Sequence, residues 1–126
     1  MNQAEIRKYF ESKLNAWAKA KGIPVAWENV SFDTTNKPSY VRCYLLPATT
    51  VQGTLCDIER KGLFHINLFS PINAGPQNAE SLVAELEALF ASGTYGALKI
   101  DSPPSTGQSV PDGGYYMVPV RVPYLV

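Results

Sequence analysis

Leu63-Phe64-His65-Ile66-Asn67-Leu68-Phe69 alternates so that Phe64, Ile66 and Leu68 share one face of an extended strand. A strand with one apolar side needs neighbours in a sheet and a second layer to cover it. Upstream, Tyr40 to Leu46 repeats the period, with Val41, Cys43 and Leu45 on one side and Arg42, Tyr44 and Leu46 on the other. The strand around Leu63 is expected from about Asp57 to Phe69; Pro47 ends the first run and Pro71 the second. Together they read as a long hairpin over about 40–69. The Thr-rich stretch Ala48 to Leu55 reads as an extended loop at its flexible tip.

Two helices flank this hairpin. From Ala4 to about Lys21, Ile6, Phe10, Leu14 and Trp17 recur at steps of four, four and three, the spacing of one helical face. Gly22 stops that helix and Pro24 prevents its continuation. The second helix carries Ala79, Leu82, Val83, Leu86, Leu89 and Phe90 on one side and Glu80, Glu85 and Glu87 on the other. Gly75 is its expected cap, Pro76 its first residue and Gly93 its stop.

The remaining segments are β-like: Val25 to Val30, Ala97 to Asp101 and Tyr115 to Tyr124. Asp33 to Pro38 is a polar turn cluster, and Pro111-Asp-Gly-Gly114 reads as a hairpin turn whose glycines accept positive φ. In the last run Tyr116, Val118, Val120 and Val122 share a face. Pro119 and Pro123 lie in the other register, which places this strand at a sheet edge. The order is therefore α-β-β-β-α-β-β. The expected fold is α+β, an antiparallel or mixed sheet of about five strands with two helices packed on one face, in one domain spanning 1–126.

Composition narrows the function. The 126 residues hold 11 Lys plus Arg and 11 Asp plus Glu, with 45% hydrophobic and 17% charged residues. A zero formal charge lacks the cationic surplus of a free-standing nucleic-acid binder or a peripheral membrane protein. No export signal and no stretch approaching the ~20 apolar residues of a membrane span is present, so a soluble protein assembled inside the cell is expected. Cys43 and Cys56 allow one bridge or two thiols; the missing export signal favours thiols.

Catalytic readings find little to hold them. His65 is the only histidine, and Cys43 on the paired strand is its one conceivable nucleophilic partner. The two cysteines lack the further ligands of a structural zinc site. Nothing matches a phosphate-binding loop. Adjacent Tyr115 and Tyr116 point to opposite faces, so they make no continuous stacking platform. No catalytic, metal-binding or cofactor-binding residue and no cofactor is expected. One charge feature stands out. Residues 1–21 hold five bases against two acids and residues 77–92 three Glu and no base, so the helices can pair within a subunit or between copies.

Four segments, Ile23-Pro-Val-Ala-Trp-Glu-Asn-Val30, Tyr40-Val-Arg-Cys-Tyr-Leu-Leu-Pro-Ala48, Arg60-Lys-Gly-Leu-Phe-His-Ile-Asn-Leu-Phe69 and Pro111-Asp-Gly-Gly-Tyr-Tyr-Met-Val-Pro-Val120, resemble in order the tail-terminator-like (tail completion) proteins of long-tailed bacteriophages. The resemblance covers nearly the whole chain. It implies a non-enzymatic virion protein that forms a ring, commonly of six copies, at the head-proximal end of the tail tube. The ring would stop tube polymerisation and offer a surface for head-tail joining. Its implied partners are further copies, the tail tube protein and a head-completion or connector protein, with DNA passing through the lumen without specific binding and no membrane. The implied location is the head-tail junction of the virion, after assembly in the host cytoplasm. Asp57, Glu59, Arg60 and Lys61, clustered in the distal half of the hairpin, are the candidate inter-ring contact. A neck adaptor, or a small intracellular ligand-binding domain with a pocket between sheet and helices, are the alternative readings.

Overall fold

The computed structural model describes residues 2–33, 39–48, 51–52, 58–71, 77–100, 102–107, 109–112 and 115–126. Helix α1 is Gln3–Lys21 and α2 is Gln77–Leu89. The strands in chain order are β1 (Val25–Ala26), β2 (Tyr40–Pro47), β3 (Val51–Gln52), β4 (Ile58–Glu59), β5 (Lys61–Pro71), β6 (Gly93–Tyr95), β7 (Leu98–Ile100), β8 (Ser105–Thr106), β9 (Val110–Asp112) and β10 (Tyr115–Leu125).

Helix α1 forms as its spacing requires, with Ile6, Phe10, Leu14 and Ala18 buried; Trp17 packs at the margin of that stripe. Asn2 Oδ1 accepts from Glu5 N at 2.9 Å and caps the start. Gly22 adopts φ 69°, and its N–H turns back to the Ala18 and Lys19 carbonyls, a left-handed stop that favours glycine. Helix α2 buries Ala79, Leu82, Val83 and Leu86. It ends at Leu89, with Phe90 in a turn, so Gly93 is not its stop: Gly93 opens β6 instead. The expected cap at Gly75 and Pro76 lies outside the described residues.

The main sheet runs β1-β2-β5-β10-β7-β6, with β8 and β9 also pairing β10. Among the described residues only β1 with β2 is parallel, so the sheet is mixed. The sheet has eight strands among the described residues where about five are expected, because short pieces with too few residues to show a period still find a partner on a long neighbour. The Val25 to Val30 run is a strand only over Val25–Ala26: Glu28 turns the chain and Asn29 takes φ 61°, a conformation asparagine tolerates. Asp112 pairs with Tyr115, and the expected turn glycines Gly113 and Gly114 lie outside the described residues.

Strand β10 is not an edge strand. It pairs with β5 over its full length, from Tyr115↔Pro71 to Leu125↔Lys61, and its other side meets β9, β8 and β7 in turn. The prolines fit because of direction. Pro119 accepts from Gly107 N at 2.9 Å, so its main-chain polar groups face β8 and the ladder to β5 loses nothing. Pro123 shares that register and falls between the β8 and β7 pairings.

Register stacks the core in rows. Val41, Leu68 and Val118 form one row across β2, β5 and β10; Cys43, Ile66 and Val120 the next; Leu45, Phe64 and Val122 the third. All nine are buried, together with the inner residues of both helices. Phe10 of α1 stacks on Phe64, and Phe90, just beyond α2, meets the same ring edge-on, so both helices cover one face.

Candidate interaction surfaces

Among the described residues, no helix packs on the opposite face of the sheet. Its rows are Tyr40–Phe69–Met117, Arg42–Asn67–Pro119, Tyr44–His65–Arg121 and Leu46–Leu63–Pro123. At one end Tyr40 stacks on Phe69 with centroids 4.5 Å apart, Tyr115 stands edge-on to both, and Phe32 packs beside Tyr40. Those aromatics form a small second core. At the other end Leu46 stays 46% exposed beside half-buried Leu63 and Pro123.

Beyond that open end the hairpin leaves the sheet. Ala48 N donates to Lys61 O at 2.7 Å, and β3 with β4 then continues as a separate two-stranded ribbon. Pairing slips by one residue across Arg60, since Pro47 faces Gly62 in the sheet while Val51 faces Glu59 in the ribbon. The expected tip loop therefore contains a strand, and the expected third strand is broken. Arg60 is the joint: its N–H and C=O exchange hydrogen bonds with Val126 at 3.0 and 2.8 Å. Gly62 sits where a Cβ would stand 2.6 Å from Leu46 O and 2.6 Å from the Tyr124 hydroxyl, so β2 and β10 leave no room for a side chain at the ribbon's root.

Of the four predicted contact residues, Arg60 is half-buried at this joint and Lys61 is exposed at the start of β5. Glu59 ends β4, and Asp57 lies outside the described residues. The proximity of Glu59, Arg60 and Lys61 is thus set by the chain, with the Val126 pairing holding the middle one in place.

A second grouping escaped the sequence reading. Glu28 Oε1 accepts from Leu45 N at 3.0 Å and from Arg7 Nη1 at 3.0 Å, while the same Arg7 nitrogen reaches Glu11 Oε2 at 3.2 Å. The hydrogen bond from Leu45 N, aided by Arg7, holds the Glu28 carboxyl below its ordinary range, against the opposing effect of burial. Because β1 covers only the start of β2, Glu28 closes part of the remaining strand edge. The turn at Asn29 falls inside a run whose sequence reads as β-like. Nothing in the sequence announced its partner.

The Cys43 and His65 pairing is not formed. Cys43 lies on the helix-covered face, fully buried as a free thiol that burial pushes up to about 12, and His65 lies on the other face. His65 Nε2 bonds Asn67 Oδ1 at 2.8 Å, and burial lowers its pKa. Among the described residues no group of three or more His, Cys, Asp or Glu is placed to hold a metal, and no helix is long and apolar enough to cross a membrane.

The opposite charges of the helices meet within one chain. Lys21 Nζ reaches Glu85 Oε1 at 2.6 Å, and Lys13 Nζ donates to Leu89 O at 3.3 Å in the last turn of α2. Lys13 also lies over the Tyr9 and Tyr95 rings, and burial beside Tyr95 pushes the Tyr9 hydroxyl up to about 12. A surface cleft of about 300 Å³ between α2 and β10 is bridged at one side by Thr106 Oγ1 donating to Glu87 Oε1.

The chain is thus a small α+β subunit with one sheet face covered by both helices and a separate two-stranded ribbon. A family profile described as phage tail terminator protein matches residues 5–124, and the chain belongs to that family. A solved structure 34% identical to the chain matches it with a TM-score of 0.80 over 100% of this chain and 96% of the other. No curated protein sequence matches. The family is structural, and membership makes the chain a component of the phage tail that interacts with other virion proteins.

Proposed function

We propose that this chain, as one domain, closes into a ring, commonly of six copies, that caps the head-proximal end of the tail tube. The ring halts tube polymerisation and leaves a surface for a head-completion or connector protein at the head-tail junction. The family match over residues 5–124 carries this reading. The ribbon at the end of the sheet supports it, because β3 and β4 form a sheet of their own, and a two-stranded sheet is marginal until it packs against a further layer such as another ring. On this reading Asp57, Glu59, Arg60 and Lys61 meet the last tube ring, and DNA passes the lumen without sequence-specific contact. The function needs neither catalysis nor cofactor.

The test is to mix the purified protein with the tail tube subunit and score tube length and end density by negative-stain microscopy. Tubes that stop growing and carry a ring at one end bear the proposal out. Unhindered growth with bare ends removes it in favour of a neck adaptor.

A further inference from the structure

The helix-free sheet face has a charge pattern that the neutral total conceals. Strands β2, β5, β7 and β10 carry Arg42, Lys61, Lys99 and Arg121 and no Asp or Glu. Arg42 and Arg121 occupy neighbouring rows on opposite sides of β5, flanked by the half-buried Tyr44 and Leu63 and by exposed Leu46. No described carboxylate forms an ion pair with Arg42 or Arg121. Helix α2 is the complement. It carries no base; Glu85 pairs with Lys21 and Glu87 accepts from Thr106 within the subunit, while its outer side presents exposed Glu80 among Ser81, Ala84 and Ala88, short enough for a sheet to approach closely.

We infer that the open sheet face of one copy docks on the outer side of α2 of a second copy. Within each chain the inner side of α2 already covers a sheet; in the pair its outer side would cover another. The sheet gains its missing second layer, and cations meet carboxylates. Donor and acceptor surfaces differ, so the contact is heterologous: it repeats head to tail and closes when its rotation fits a whole number of copies. The inference rests on the ring reading above and names the surfaces that build the ring.

Two double variants test it, both at positions without a side-chain bond among the described residues. Arg42→Glu/Arg121→Glu reverses the sheet, and Glu80→Lys/Ala84→Lys reverses the helix. Sedimentation velocity is recorded at low salt, with circular dichroism verifying the fold. The wild-type chain is expected to self-associate, less so as salt rises, and each variant alone to associate about a hundredfold more weakly. An equimolar mixture of the two variants restores every contact in alternation and is expected to recover the wild-type assembly. A wild-type chain that stays monomeric up to millimolar concentration overturns the inference, as do a sheet variant that assembles like wild type and a mixture that stays dissociated. Binding of a short DNA duplex through Arg42 and Arg121 in place of self-association also overturns it. Tube capping is scored separately on the same variants. Capped tubes without this contact leave the terminator reading standing, and assembled rings that fail to cap remove that reading alone.

Discussion

The rings of Phe10 and Phe64 lie stacked, 4.8 Å between centroids and 12° between planes, at the point where α1 crosses the middle strand of the sheet. Phe90 stands 5.8 Å from each ring, so one buried aromatic in β5 supports both helices. Both Phe10 and Phe64 are fully buried. Phe64→Ala is expected to cost about 3–5 kcal/mol, and Phe64→Leu about 1–2 kcal/mol because it refills much of the volume. Urea unfolding measures both. Equal losses would show that aromatic contact, not volume, holds the helices.

Gly62 tests the root of the ribbon. A Cβ there would stand 2.6 Å from the Leu46 carbonyl oxygen, which belongs to a paired strand and cannot swing aside as a flexible side chain would. Gly62→Ala is expected to destabilise by about 1–3 kcal/mol, the range for forced overpacking. Gly22 offers a contrast: its φ of 69° is strained for alanine but nothing lies within 4 Å of its Cβ position. Gly22→Ala is expected to cost about 1–2 kcal/mol, through the helix end alone. Hydrogen exchange separates the two, since Gly62→Ala would expose amides of β2 and β10 and Gly22→Ala those at the end of α1.

What the sequence disclosed follows from period. Phe64, Ile66 and Leu68, and Ile6, Phe10 and Leu14, repeat often enough to reveal their buried faces, and both sets are in the core. Strands of two or three residues, such as β8, have no period to read and exist because β10 offers them a partner. The prolines misled for a physical reason. Pro119 lacks an N–H on one side only, and sequence does not tell which neighbour that side faces. The same limit hid Glu28 and Arg7, whose contact spans 21 residues and depends on where β2 lies beside α1. Of the predicted contact set, the adjacency of Glu59, Arg60 and Lys61 was legible, while the register slip at Arg60 was not.

Acid should loosen the β2 edge through Glu28. Its carboxyl is held below the ordinary 4.5 mainly by the hydrogen bond from Leu45 N, helped by Arg7. A folded-state value below the unfolded one means that the unfolded chain binds more protons, so stability rises with pH through that window. The contribution is complete above about 4.5 and is lost as pH falls through the folded-state value. Glu28→Gln keeps an acceptor for Leu45 N and removes the charge. Its deficit against wild type, about 1 kcal/mol or less for so accessible a group, is expected at pH 7 and should shrink as pH falls through the folded-state value. Unfolding curves across that range check it; a deficit independent of pH would assign the effect to shape.

Arg60→Glu/Lys61→Glu addresses the ribbon. The hydrogen bonds that fix Arg60 to Val126 are made by main-chain atoms, and Lys61 is exposed at the end of β5, so the double reversal should leave the fold within about 1 kcal/mol of wild type. Four units of charge nevertheless change at the joint from which the ribbon projects. If that joint meets the last tube ring, capping should need about tenfold more protein, an effect that shrinks as salt screens the contact. Tube-length distributions at graded concentrations read this directly. Unchanged capping by a folded variant would remove Arg60 and Lys61 from the contact and shift attention to the far end of the ribbon, whereas lost capping with lost stability would mark the joint as structural.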